Sequence, residues 1–136
     1  MNVTSANEPV NEMESPITIL QNMRQKNTDR IIIGHLNINS IRNKIHTLAD
    51  IVSNKIDILL ISETKIDDTF PNAQFLINSF SEPLRLDRTA NGGGLLLYVR
   101  NDITSRKLPL ITPGIECVLS EITISKVKWL LIGFYN

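Results

Sequence analysis

Asn37, Asn39 and Glu63 are the residues of this chain best placed to do chemistry. Each follows an apolar, β-branched run and so stands at a strand end, where a rigid support meets solvent. A carboxylate beside amide oxygens, with positions left for water, suits Mg²⁺, which prefers oxygen ligands and keeps part of its hydration shell. The same residue types also serve a plainer purpose: Asn at the start of a loop stabilises turns, and Glu solvates a strand end. Spacing alone leaves both readings open. His35 and His46 add nothing to such a site, because the first lies on the apolar run and the second within a helical pattern. A packed or solvent-facing imidazole is expected at both.

The elements that must position these residues follow from periodicity. Ile31-Ile32-Ile33-Gly34-His35-Leu36-Asn37-Ile38 predicts a strand buried on both faces. Ser40 is placed to cap a helix whose apolar residues Ile41, Ile45, Leu48, Ile51 and Val52 recur at helical spacing. Asp57-Ile58-Leu59-Leu60-Ile61-Ser62 predicts a second buried strand. Residues 31–62 therefore read as a β-α-β unit with parallel pairing and a right-handed crossover. Parallel neighbours bring their C-terminal ends together, and Asn37, Asn39 and Glu63 with them.

After this unit the texture is β. Residues 64–72 read as a loop, 75–80 as a short strand and 82–91 as a charged irregular stretch. The triple glycine at 92–94 leads into a strand over 95–100; no Lys-Ser/Thr follows it, so it is a turn rather than a phosphate cradle. Residues 115–124 and 127–135 form a hairpin across Ser125-Lys126. Trp129 belongs to its core or edge face, and Glu116 and Glu121 lie within strands. Arg85, Asp87 and Arg88 read as a surface ion-pair cluster or as DNA contacts. One amphipathic helix is too little to cover this many strands, so the expectation is a partial domain with exposed edges and a tendency to self-associate.

Composition bounds the rest. The chain has 136 residues, 42% hydrophobic and 21% charged, which excludes fibrous and wholly disordered classes. Fourteen Lys and Arg balance fourteen Asp and Glu, so any charged partner must be met by a local site. Residues 1–29 carry an excess of two acidic groups and form a polar tail, disordered over 1–15; Ser15 and Pro16 could cap and begin a short helix. Residues 30–136 make the domain and carry the matching basic excess. The single cysteine, Cys117, reads as a small strand hydrophobe and fits a reducing compartment. No apolar run approaches the ~18 residues of a membrane span, and the N-terminus lacks a signal-peptide pattern, so an intracellular chain with no membrane partner is expected.

Four strings in order carry a resemblance: Leu36-Asn37-Ile38-Asn39-Ser40-Ile41, Asp57-Ile58-Leu59-Leu60-Ile61-Ser62-Glu63-Thr64-Lys65, Gly92-Gly93-Gly94-Leu95-Leu96-Leu97-Tyr98-Val99-Arg100 and Leu130-Leu131-Ile132-Gly133-Phe134-Tyr135. Together they resemble the endonuclease/exonuclease/phosphatase superfamily and, more narrowly, the apurinic-type endonuclease domain of non-LTR retrotransposons. The resemblance implies an α/β fold, the N-terminal part of a two-sheet sandwich in which the β-α-β unit is followed by mainly antiparallel strands. It places Glu63 on the metal-binding glutamate, with Asn39 near the metal. Asn37 falls on an asparagine that orders metal and carboxylates, and Tyr135 on a tyrosine that contacts the reacting phosphate. Arg42, Asn43, Lys44 and Lys65 match a region that touches the DNA backbone. The implied activity is Mg²⁺-dependent nicking of target DNA, nuclear when it acts on genomic DNA, with a reverse transcriptase downstream in a full-length parent. The family's later Asp, Asn and His motifs have no counterpart here, so the chain is expected not to cleave alone. A non-catalytic DNA- or protein-binding remnant, or a phosphoesterase with another substrate, are the alternatives.

Overall fold

The computed structural model describes residues 14–109 and 114–135. Its elements are α1 (Pro16–Lys26), β1 (Ile33–Asn37), α2 (Ile45–Val52), β2 (Ile58–Ser62), a 3-10 turn (Asn72–Phe75), β3 (Leu84–Leu86), β4 (Leu95–Val99), β5 (Thr104–Lys107), β6 (Glu116–Ile124) and β7 (Val127–Tyr135). They form two sheets, ordered β1-β2-β4-β3 and β5-β6-β7. β1 and β2 are parallel, as the β-α-β pattern requires, and every other pairing is antiparallel. No described helix is long and apolar enough to cross a membrane.

The apolar strands at the centre face two cores. Leu59 and Ile61 of β2 and Leu96 and Tyr98 of β4 pack toward Leu48 and Val52 of α2, with Leu20 of α1 at the margin. Ile58 on β2 and Leu95, Leu97 and Val99 on β4 face Val118 and Ile122 of the second sheet. A strand sandwiched between a helical layer and another sheet must be apolar on both faces, which is why β2 and β4 read as continuous hydrophobic runs. The β6–β7 hairpin closes on Ser125 and Lys126, both left-handed at φ 51° and 67°, the twist that a two-residue turn demands.

α1 forms with the caps its sequence indicates: the Ser15 hydroxyl accepts from the Thr18 amide at 3.2 Å, with Pro16 at the first position. Arg24 then ties its last turn to the core by donating to Asp57 Oδ2 at 2.5 Å. The disorder expected over 1–15 falls mostly outside the described residues.

Several elements differ from their expectation. β1 is an edge strand rather than a doubly buried one; it pairs with β2 on one side, and Ile33 is 62% exposed. Residues 75–80 form no strand. Both edges of β4 are taken by β2 and β3, so Phe75, Ile77 and Phe80 enter the core as separate pegs. The Tyr98 hydroxyl, its pKa raised by burial, donates to the Phe75 carbonyl at 2.6 Å. β3 and β5 were not anticipated: β3 lies within the charged stretch, and β5 (Thr-Ser-Arg-Lys) is exposed throughout, leaving no apolar signal to read. α2 begins at Ile45 with Lys44 at its N-cap, not at Ser40. Ser40 is left-handed at φ 81°, held there because its amide donates to the Glu63 carbonyl at 2.8 Å.

Candidate active site

The site forms where both sheets end. Register pairs Asn37 with Ser62, so the parallel strands β1 and β2 finish level, and backbone bonding continues past them. Ile38 donates to the Ser62 carbonyl at 3.0 Å, Ser40 to Glu63, and Ile41 to Thr64 at 3.0 Å. On the other side, Lys65 donates to the Gly93 carbonyl at 3.0 Å and Thr64 to that of Gly94 at 3.4 Å. Residues 63–65 are thereby clamped between the loop after β1 and the glycine turn before β4. Glu63 and Lys65 are both left-handed, at φ 59° and 55°, while Thr64 between them is buried. Non-glycine residues hold this conformation only where their surroundings over-determine it.

The second sheet reaches this point through its strand ends. Tyr135, the last residue of β7, donates its hydroxyl to Glu63 Oε1. Opposite it in register is Glu116, the first residue of β6, whose Oε1 accepts from the Gly94 amide at 2.8 Å and whose Oε2 lies 3.1 Å from Arg88 Nη1. Tyr135, Arg88 and Glu116, with Leu86, Asp87, Gly114 and Ile115, line a cleft of 390 Å³ beside Glu63.

Electrostatics keep Glu63 ionised. The Tyr135 hydrogen bond holds its carboxyl below the usual carboxylate range, helped by the Gly93 amide and by the charges of Lys65 and Arg88, against a smaller opposing effect of burial. The same bond pushes the Tyr135 phenol up, since ionising it would set two negative charges in contact. Lys65 Nζ donates to Asn39 Oδ1 at 2.6 Å and lies 4.0 Å from Glu63 Oε2, so a cationic group already sits between the two oxygens read as metal ligands.

Asn37, Asn39, Glu63, Lys65 and Tyr135 are all brought to this corner. Asn37 Oδ1 accepts from the Asn39 amide at 3.2 Å, closing the turn after β1. Arg42 and Lys44 border it and are engaged with backbone. Arg42 donates to the carbonyls of Lys65, at 3.2 Å, and Ala90, and lies over the Phe70 ring; Lys44 Nζ donates to Ile38 and Asn39 at 3.0 and 3.1 Å. Asn43 is exposed, at φ 61°, in the turn before α2. Neither histidine takes part in these bonds; His35 Nε2 pairs with Ser62 Oγ at 3.1 Å.

Glu116 and Gly93 are site residues that sequence reasoning did not assign, and Arg88, read as part of a surface ion-pair cluster or as a DNA contact, pairs with Glu116. Glu116 reads as one strand carboxylate among others, and only the fold shows that β6 starts beside the glycine turn. No group of three or more His, Cys, Asp and Glu side chains able to hold a metal occurs among the described residues. The donors present are one ionised carboxylate and amide oxygens, a set that fits a hard, largely hydrated divalent cation and not a transition metal needing nitrogen or sulfur.

No family model matches the chain, and no curated protein matches it. Solved structures do. The 3′ phosphatase NExo from Neisseria, bound to a product DNA hairpin, is similar over 74% of this chain and 40% of its own, with 20% identity and a TM-score of 0.50. An AP endonuclease from Archaeoglobus fulgidus is similar over 78% of this chain and 41% of its own, with 23% identity and a TM-score of 0.52. This chain thus spans about two fifths of the length of either. The mixed α/β, two-sheet architecture is that of the AP endonuclease-like sandwich.

Proposed function

We propose that this chain carries the metal-holding portion of a nuclease-type site that hydrolyses phosphodiesters in DNA. The observation that carries the reading is the cross-sheet Tyr135–Glu63 hydrogen bond. It places an ionised carboxylate, a phenol and the Lys65 ammonium at one solvent-accessible corner of a fold shared with DNA-processing phosphoesterases. Glu63 and Asn39 would hold a Mg²⁺ ion, with Asn37 fixing the Asn39 turn. Such an ion, when bound, neutralises charge building on a phosphate and its leaving oxygen. Tyr135 supplies a hydroxyl that can turn from Glu63 to a phosphate oxygen. Lys65, Arg42, Asn43 and Lys44 line the approach and would hold the DNA backbone without reading its sequence.

The finer reading is the target-nicking endonuclease of a non-LTR retrotransposon, acting in the nucleus, with the new 3′-hydroxyl used by a reverse transcriptase. The four ordered strings support it. The chain alone is proposed not to cleave: among the described residues the other carboxylates lining the cleft, Glu116 and Asp87, are bonded, the first to Gly94 and Arg88 and the second to Arg85, and no imidazole is there to take a proton from water. Self-association is proposed through β7, whose Leu130, Ile132 and Phe134 are exposed on its outward face.

Two measurements test the reading. Mn²⁺ binding, followed by loss of the free-ion resonance signal, is expected in the full chain and not in Glu63→Gln; equal binding by both overturns the metal site. Supercoiled plasmid with Mg²⁺ is expected to stay intact yet shift in a low-salt gel; nicking that Glu63→Gln abolishes refutes inactivity, and no shift refutes DNA binding.

A further inference from the structure

The glycine turn at 92–94 links two carboxylates from different sheets. Gly93 and Gly94 accept from the amides of Lys65 and Thr64, the residues that follow Glu63, at 3.0 and 3.4 Å, and the Gly94 amide donates to Glu116 at 2.8 Å. Both glycines are left-handed, at φ 70° and 99°. A Cβ on Gly93 would lie 2.8 Å from both Arg88 Cζ and Glu116 Oε2, so the turn is packed against this ion pair. Glycine has no side chain to fix such a turn, and its backbone freedom is the largest of any residue, so the anchor must come from outside. Two anchors are present: the Thr64 and Lys65 amides on one side, and Glu116, whose side chain is 16% exposed, on the other.

We propose that Glu116 is a positioning residue: by holding the Gly94 amide and Arg88, it fixes the turn that receives the Thr64 and Lys65 amides and so pre-orients the adjoining Glu63 for its cation. Glu116 itself touches neither cation nor phosphate in this role. The effect on the cation rests on the metal reading above; the effect on the turn does not.

Amide hydrogen exchange in the full chain, resolved by NMR, tests the turn. In Glu116→Ala the Lys65 amide, which donates to Gly93, and the Gly94 amide are expected to exchange about tenfold faster, with Ile58–Ser62 still protected. Glu116→Gln keeps an oxygen for the Gly94 amide and is expected to restore protection at both. Mn²⁺ affinity is expected to fall about tenfold in Glu116→Ala and to recover in Glu116→Gln, the size usual for a residue that orients a ligand. Wild-type protection at Lys65 in Glu116→Ala overturns the proposal, as does unchanged Mn²⁺ affinity in that variant. Should the unsubstituted chain bind no Mn²⁺, the metal reading fails and exchange at Lys65 alone decides the positioning role. Should Glu116→Ala lose protection along β2, Glu116→Asp, which keeps the charge and shortens the reach to Gly94, serves in its place with the same expected pattern.

Discussion

Asp57→Asn is the substitution that most directly probes how the fold holds its site. Asp57 opens the turn into β2, the strand whose far end carries Glu63, and its side chain is 1% exposed. It accepts from Arg24 Nη2 at 2.5 Å, from the Ile32 amide at 2.7 Å and from Arg100 Nη1, tying α1, the entry to β1 and the exit of β4 to one point. Asparagine keeps the shape but replaces one acceptor oxygen with a donor, so an NH₂ group must face a guanidinium or an amide whichever way it turns. Breaking a buried ion pair from one side typically costs 3–5 kcal/mol. Arg24 and Arg100 retain 19% and 34% exposure and can turn partly to water, which puts the expected loss at the low end, about 3 kcal/mol. With a urea slope of about 2 kcal/mol/M, the midpoint falls by about 1.5 M. Arg24→Met leaves Asp57 its other two donors and is expected to cost about 1–2 kcal/mol, less than additively with Asp57→Asn. Urea unfolding followed by circular dichroism measures all three variants. A loss under about 0.5 kcal/mol for Asp57→Asn, or strict additivity in the cycle, refutes the triad as the clamp.

Three further outcomes follow from the site. Tyr135→Phe removes the hydrogen bond that depresses the Glu63 carboxyl, so the Glu63 midpoint in a carbon-13 titration is expected to rise. In the unsubstituted chain the stability linked to Glu63 is present above the usual carboxylate range and lost as pH falls through its lowered value, and Tyr135→Phe flattens that acid loss; an unmoved midpoint refutes the coupling. Gly93→Ala is expected to destabilise by about 1–2 kcal/mol from its left-handed backbone, plus displacement of Arg88 and Glu116. Gly114→Ala, at φ 86° with no described atom within 4 Å of the added carbon, meets only the backbone cost, so equal melting shifts in the two variants sink the packing argument. Lys65→Met removes the ammonium 4.0 Å from Glu63 and is expected to tighten Mn²⁺ binding about fivefold at low salt, less at high salt; unchanged or weaker binding shows that Lys65 does not compete with the cation.

Legibility from sequence tracked how local the physics is. β2 and β4 were readable because burial on both faces writes a continuous apolar run, and the β6–β7 hairpin because strong strands flank a two-residue turn. Glu63 was found for the same reason: it is the first charged residue beyond such a run. Where the deciding contact is distant, the sequence was silent. Ser40 has the chemistry of an N-cap, yet its amide is drawn to Glu63, 23 positions away, and the helix starts later. Asp57 looks like any strand-leading aspartate until Arg24 and Arg100 arrive from 33 and 43 positions away. Arg42 and Lys44 read as part of a region that touches the DNA backbone, and only the fold shows that they also brace carbonyls of the loops around the site. Glu116 needed the second sheet to be placed against the first before its position meant anything.

That dependence on distant contacts is what makes the corner suitable for binding charge. Asn39, Ser40, Glu63, Lys65, Gly93 and Gly94 all have positive φ, and all lie in the three segments that meet at the ends of β1, β2 and β4. Each non-glycine member gives up backbone energy to be there, a cost tolerated only because hydrogen bonds from both neighbouring segments leave no cheaper arrangement. The result is a carboxylate whose position is set by the Tyr135 hydroxyl and its own left-handed backbone before any ligand arrives. A carboxylate on a free loop would lose conformational entropy on binding a cation, whereas Glu63 has lost most of it in folding. On the proposed metal reading, affinity at this corner would depend on residues such as Glu116 that do not touch the ligand, and weakening them is expected to loosen binding without removing a single donor atom.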